Sequence, residues 1–201
     1  MKVQKFNEKT EWLAARMGKI TGSRLKDIIV KRGTGYKIGY YELIAERLAV
    51  APDYENPMER GTRLEPEALE RFKKETGKKV VSDLVIWSRN DNESIAVSPD
   101  GVIGKTEAVE AKCLSSARHI EAYLTQAVPD EYQMQVIQYF IVNDSLKTLY
   151  LVFYDPRVLA KDYFVIEAKR DSVSQEIKDY LEYQKRTLAE VDEIVAKLTN
   201  F

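Results

Sequence analysis

The sequence has a single cysteine, Cys113, and a single histidine, His119, among its 201 residues. One cysteine cannot form an internal disulfide, nor can it supply the several thiolates of an iron–sulfur cluster or a structural zinc site. One histidine excludes metal sites that are built on several imidazoles. A metal ion bound by this chain would therefore be held by oxygen ligands, which favours Mg²⁺ or Mn²⁺.

The sequence also lacks any run of about 18 apolar residues, the length that a membrane-spanning helix needs. Its first residues, MKVQKFNEKTEW, do not contain the apolar centre of a signal peptide. We therefore expect no contact with a membrane and a location in the cytoplasm. A hydrophobic share of 44% and a charged share of 31% are typical of globular proteins, and the length fits one domain over residues 1–201.

The net charge of -1 gives no sign of a polyanionic partner, but the charge is unevenly distributed. Residues 1–47 contain eleven lysines and arginines against five aspartates and glutamates. A basic N-terminal third is suited to binding a polyanion such as DNA. A solvated charged surface is the alternative explanation.

Hydrophobic periodicity predicts the order of helices and strands. The predicted helices are EWLAARMGKI, a second one from Thr21–Ser23 through Ile29, YYELIAERLAV, TRLEPEALERFKKETG with Gly77 as its stop, EYQMQVIQYFIV, and a long amphipathic helix from Ser172 to Leu198. The predicted strands are KVVSDLVIW, ESIAVS, EAVEAK, TLYLVFYD and YFVIEA. This order predicts an α/β fold, in which a central mixed β-sheet is flanked by helices.

The stretch SPDGVIGKTEAVEAKC, residues 98–113, carries the strongest chemical signal. We expect it to form a hairpin with GVIGKT as the connection, so that Asp100 lies close to Glu110. Because side chains alternate along a strand, Glu110 and Lys112 project from the same face. Two neighbouring carboxylates repel each other unless a divalent cation lies between them, and a nearby lysine can act on a water or stabilise an anionic transition state. This pattern is typical of metal-dependent phosphodiester hydrolysis, although an exposed hairpin with a solvated Glu–Lys pair is the alternative.

Asp100, nine intervening residues and then Glu110-Ala111-Lys112 resemble the signature of PD-(D/E)XK nucleases. Further blocks occur in the same order along the chain: WLAARMGKITGS, RGTRLEPEALERF, SPDG, EAKC, YQMQVIQYF and FYDPR. Together they resemble the family of lambda exonuclease and YqaJ-type viral recombinases. The resemblance implies a nuclease core in which Asp100, Glu110 and the main-chain carbonyl of Ala111 bind Mg²⁺, while Lys112 orients or activates the attacking water.

The resemblance implies two further residues near the metal site. Glu65 matches an acid on a helix beside the metal, although Thr62-x-x-Glu65 also fits a capping box at a helix start. Gln135 matches a glutamine of the family's active site, although it could equally belong to a polar stripe that faces solvent.

The N-terminal block suggests a phosphate site. Thr21-Gly22-Ser23 at a helix start would offer backbone N–H groups and a hydroxyl to an anion, and Arg16 lies a few residues upstream. The resemblance implies that Arg16 and Ser23 bind the 5′-terminal phosphate of DNA, and Arg118 could reach a phosphate as well. An ordinary helix cap next to a surface arginine is the alternative.

The resemblance implies a Mg²⁺-dependent 5′→3′ exonuclease that digests one strand of linear double-stranded DNA and leaves 3′ single-stranded tails for phage-type recombination. It also implies a homotrimer and a single-strand annealing recombinase as partner. The alternatives are an endonuclease of the same superfamily and a DNA-binding module without catalytic activity. Intact Asp100, Glu110 and Lys112 argue against the second alternative.

Overall fold

The computed structural model describes residues 8–17, 19, 27, 35–48, 50 and 55–199. The chain forms two compact units. The first unit comprises Met1–Leu64, Cys113–Ala127 and Phe153–Phe164, and the second comprises Glu65–Lys112, Val128–Val152 and Val165–Phe201. One domain over residues 1–201 stays a prediction.

The helices and strands follow the predicted order, with one addition and several changed boundaries. The helices are α1 (Lys9–Ala14), α2 (Ile38–Arg47), α3 (Pro57–Thr76), α4 (Ser116–Thr125), α5 (Asp130–Val142) and α6 (Ser174–Thr199), and a 3₁₀ turn (Arg170–Val173) precedes α6. The strands are β1 (Trp87–Ser88), β2 (Ala96–Val97), β3 (Gly101–Ile103), β4 (Glu107–Lys112), β5 (Thr148–Tyr154) and β6 (Tyr163–Lys169). Within the described ranges, no helix is both long and apolar enough to cross a bilayer. The predicted helix from Thr21–Ser23 through Ile29 falls, except for Asp27, outside those ranges.

The first unit is held together by α2 packing against α4. Tyr41 and Ala45 of α2 are buried with Ala117 and Ile120 of α4 in one apolar cluster. Helix α4 was not predicted, although its start carries a cap signal: the hydroxyl of Ser115 accepts a hydrogen bond from the Arg118 backbone N–H at 3.4 Å.

The second unit contains most of a four-stranded sheet of order β3-β4-β5-β6. The fully apolar pattern of TLYLVFY is typical of a strand buried on both faces, and six of its seven residues are buried in β5. Helix α6 lies against α5, with Ile177 and Leu181 packed on a cluster that contains Ile137 and Ile141. The sheet and the helices that flank it confirm the predicted mixed α/β fold.

The strand predicted over KVVSDLVIW is wrong for most of its length. Only Trp87 reaches a strand, β1, and Val81 makes a single isolated bridge with Val102. Leu84 and Ile86 are exposed, so the apolar character of this segment does not mark burial in a sheet. The strand predicted over ESIAVS is likewise reduced to the two residues of β2.

The hairpin is tighter than predicted, because half of the expected connection is itself a strand. Gly101–Ile103 forms β3 and pairs with β4 in antiparallel register, Gly101 opposite Val109. The turn that remains is short, and Gly104 within it has a φ of 58°, a left-handed conformation that costs glycine little. Extending the register by one residue brings Asp100 beside Glu110.

Candidate functional site

Strand β4 directs Glu110 and Lys112 to the same side, as the alternation of side chains predicts. Both are buried, with 6% and 8% of their surfaces exposed. The Lys112 ammonium donates a hydrogen bond to Glu110 Oε1 at 2.8 Å. Burial excludes the interpretation of these residues as a solvated surface pair.

Asp100 is fixed next to Glu110 by the backbone of β4. Its Oδ2 accepts a hydrogen bond from the Ala111 N–H at 2.7 Å. Burial, and then the nearby charge of Glu110, raise the pKa of Asp100 to about 7, whereas Lys112 acts in the opposite direction. An ionised Asp100 is therefore unfavourable in this protein unless a cation compensates for its charge.

Glu65 contributes a third carboxylate from helix α3. This helix begins at Pro57, five residues before Thr62, and the Thr62 hydroxyl donates to the Met58 carbonyl at 3.1 Å within the helix. The capping-box interpretation of Glu65 is therefore wrong. Burial, and then the charge of Glu110, raise the pKa of Glu65, which places it in the same electrostatic environment.

Gln135 of helix α5 joins the lysine to the acid. Its Nε2 donates to Glu110 Oε1 at 2.7 Å, and its Oε1 accepts from the Lys112 ammonium at 2.7 Å. Gln135 is not part of a solvent-facing stripe. The amide uses both its donor and its acceptor to hold the two side chains in one arrangement.

Two tyrosines of helix α5 belong to the site and were missed from the sequence. The ring of Tyr132 lies 4.4 Å from the Lys112 ammonium, a cation–π contact. The hydroxyl of Tyr139 donates a hydrogen bond to Glu110 Oε2. Residues 132, 135 and 139 follow helical spacing, so one face of α5 carries all three. Counting three residues back and four residues on from Gln135 was the sequence signal that pointed to the two tyrosines.

The donor set suits a hard divalent cation. Among the described residues, no three acidic, histidine or cysteine side chains form a ready cage for a metal ion. Mg²⁺ needs no such cage, because it is commonly bound through one or two carboxylates and keeps several waters. Asp100, Glu110 and the Ala111 carbonyl could supply oxygen ligands. Burial, and then the charge of Glu110, raise the pKa of Asp100, and a cation would offset both effects.

The residues predicted to bind the 5′ phosphate lie in the first unit. Arg16 is in the turn after α1, and Ser23 is outside the described residues. Arg118 lies in the first turn of α4, where its Nη1 contacts Glu121 Oε2 at 2.6 Å. The role of Arg16, Ser23 and Arg118 at a phosphate stays a prediction.

Comparison with known proteins connects this site with one family. The YqaJ-like viral recombinase domain matches residues 11–145. The crystal structure of an alkaline exonuclease, LHK-Exo, from Laribacter hongkongensis superposes with a TM-score of 0.57 and 30% identity over 95% of this chain and 100% of that chain. The complex of LHK-Exo with dAMP gives a TM-score of 0.55 and 32% identity over 91% and 100%. No curated protein matches.

Proposed function

The chain belongs to the family of YqaJ-like viral recombinase domains, and from that premise we propose that it is a Mg²⁺-dependent exonuclease acting on the ends of double-stranded DNA. The family and the alkaline exonuclease neighbours support a nuclease. The observation that carries the proposal is the buried pair of Glu110 and Lys112, bridged by Gln135, with the partly buried Asp100 beside it on the Ala111 N–H. A binding module would gain nothing from a buried lysine held between an acid and an amide beside a second acid.

In this proposal Asp100 and Glu110 hold Mg²⁺ together with the Ala111 carbonyl, and Mn²⁺ can replace it. With an ion held there, the site would gain polarisation of the phosphate and a lower pKa of the attacking water. Lys112 donates a hydrogen bond that orients this water, and Gln135 fixes the ammonium by accepting a hydrogen bond from it. Water attacks phosphorus and releases a proton to the solvent, the bond from phosphorus to the 3′ oxygen breaks, and that oxygen takes a proton from the solvent and leaves as a 3′ hydroxyl.

Glu65 acts at longer range. Its carboxylate adds negative charge to the environment of Asp100 and Glu110, which strengthens the attraction for a cation. Glu65→Gln tests this role, because it removes the negative charge and keeps the shape of the side chain. We expect this variant to need more Mg²⁺ for half-maximal cleavage and to keep the same products.

The direction of digestion is the finer part of the proposal. We propose 5′→3′ digestion of one strand, which leaves 3′ single-stranded tails for recombination, with Arg16, Ser23 and Arg118 at the 5′ phosphate. The local basic excess of residues 1–47 supports contact with DNA in this part of the chain. The complex of the LHK-Exo relative with dAMP supports a nuclease that acts on nucleotides, whichever end it starts from. A homotrimer, a single-strand annealing recombinase as partner and action in the cytoplasm of a bacterial host complete the proposal.

The experiment compares three DNA substrates: a linear duplex with 5′ phosphates, the same duplex with 5′ hydroxyls, and a closed circle. The proposal expects Mg²⁺-dependent loss of the phosphorylated strand from its 5′ end, slower loss of the hydroxyl form and an intact circle. Cutting of the circle would support an endonuclease instead. Binding without cleavage of any substrate would support a non-catalytic module.

A further inference from the structure

Tyr139 is the most deeply buried polar side chain at the site. None of its surface is exposed, and its ring lies edge-on to Trp87, with 6.4 Å between ring centroids. A tyrosine packed in this way on an apolar helix usually serves the core alone. Its hydroxyl, however, has two acceptors: Glu110 Oε2, and the Ser98 carbonyl at 3.1 Å.

These two acceptors belong to the two segments that carry the predicted metal ligands. Ser98 stands two residues before Asp100, and Glu110 is on β4. A single side chain of α5 therefore contacts both segments. Because the hydroxyl carries one proton, it can donate fully to only one of these acceptors at a time.

The hydrogen bonds of Glu110 are unevenly distributed between its two oxygens. Oε1 accepts from Lys112 and from Gln135, so both of its lone pairs are used. Oε2 accepts from Tyr139. An ionised carboxylate has about four lone-pair positions, so among the described contacts the position that stays open is on Oε2.

We propose that Tyr139 is a positioning residue for metal binding, which directs the open lone pair of Glu110 Oε2 toward the cation. The inference rests on the proposed function and adds a residue to it. Groups that hydrogen-bond to metal-ligating carboxylates fix the orientation of the ligand, and their loss typically weakens metal binding 10- to 100-fold. A tyrosine hydroxyl keeps its proton at neutral pH, so that of Tyr139 remains a donor to Glu110.

The chain offers a matched control for this inference. Tyr150 on β5 is also buried, and its hydroxyl also donates to a carboxylate of β4, Glu107 Oε1, at 2.8 Å. Tyr139→Phe and Tyr150→Phe therefore delete the same group from the same kind of contact. Only the first deletion touches a predicted metal ligand.

The test is a calorimetric titration of the full chain with Mn²⁺ and with Mg²⁺, followed by nuclease assays over a range of metal concentrations. We expect Tyr139→Phe to weaken metal binding about 10-fold, with cleavage at saturating metal recovering to within about 3-fold of wild type, and Tyr150→Phe to leave metal binding unchanged. Tyr139→Met, which fills the site without a ring or a hydroxyl, is expected to show the same loss of affinity.

Equal metal affinity in wild type and Tyr139→Phe, with only a lower melting temperature, would overturn the inference, because Tyr139 would then serve packing alone. An unfolded Phe variant beside a folded Met variant with wild-type affinity would overturn it as well. Failure of the wild type to bind either metal would overturn the proposed function itself. The calorimetric readout separates these results without relying on activity.

Discussion

The cluster of acids predicts that the replacement of one proposed metal ligand, Asp100, stabilises the metal-free protein. A pKa of Asp100 near 7, compared with the ordinary 3.8, means that folding disfavours the ionised form. At about 1.36 kcal/mol for each tenfold change in proton affinity, the upper limit of this cost at pH 8 is roughly 4 kcal/mol. Asn removes the charge and keeps an oxygen for the Ala111 N–H, so Asp100→Asn should stabilise the protein.

We expect a gain of roughly 1–3 kcal/mol, below that limit, because an amide oxygen accepts the Ala111 hydrogen bond less strongly than a carboxylate does. The assay is urea unfolding in EDTA between pH 4 and pH 8. The pKa of Asp100 is higher in the folded protein than in the unfolded chain. Ionisation of Asp100 therefore begins to destabilise the wild type as the pH rises above about 4, and this effect is complete above about 7. The gain from Asn should therefore be largest at pH 8 and vanish near pH 4.

Glu107→Gln is the matched control, since Glu107 is on the same strand but is paired. Burial raises the pKa of Glu107, yet hydrogen bonds from Lys78 and Tyr150 outweigh burial and the net shift is downward. Glu107→Gln should therefore lower the free energy of unfolding at pH 8, whereas Asp100→Asn should raise it. If Asp100→Asn also destabilises the protein at pH 8 in EDTA, then burying the charge of Asp100 beside Glu110 has no significant cost and the reasoning from charge is wrong.

Three further predictions concern single side chains. Lys112→Met should lower the rate of cleavage by about 10²-fold or more while DNA binding persists, as measured by single-turnover assays and gel shifts; retained cleavage would remove Lys112 from the mechanism. Asp155 is fully buried and accepts hydrogen bonds from Ser116 at 2.6 Å and from Arg157 at 2.8 Å. Asp155→Ala should therefore lower the free energy of unfolding, measured in urea, by about 3 kcal/mol. A loss below about 1 kcal/mol would contradict this expectation. Gly77 ends α3 with a φ of 68°, so Gly77→Ala should lower the free energy of unfolding by about 1 kcal/mol, whereas an unchanged or higher value would argue against the left-handed helix end.

Much of the fold is predictable because its signals are local. The apolar run of β5 requires burial, the stripe of α6 requires a partner, and Gly77 permits the left-handed turn that ends α3. The segment that contains Leu84 and Ile86 misleads because its apolar residues are exposed, and only neighbouring strands decide whether such a segment joins a sheet. Helix α4 was missed although Ser115 caps it.

The candidate site also has a part that the sequence predicts and a part that it does not. The alternation of one strand is enough to place Glu110 and Lys112 on one face, and a short hairpin brings Asp100 beside them. Helical spacing from Gln135 places Tyr139 on the same face of α5, but the sequence does not separate a role at the site from packing, because a tyrosine on an apolar helix fits the core equally well. Only the direction of its hydroxyl, a property of the packed structure, connects it with Glu110.

The central claim is that the carboxylates beside Lys112 form a metal-dependent site for phosphodiester cleavage. Its most direct test is a titration of Mg²⁺ into the wild type and into Glu110→Gln with 5′-phosphorylated linear DNA as substrate. The account predicts no cleavage in EDTA, saturable cleavage by the wild type as Mg²⁺ rises, and none by Glu110→Gln at any concentration, although this variant stays folded. Cleavage by Glu110→Gln at the wild-type rate, or cleavage by the wild type in EDTA, would contradict it.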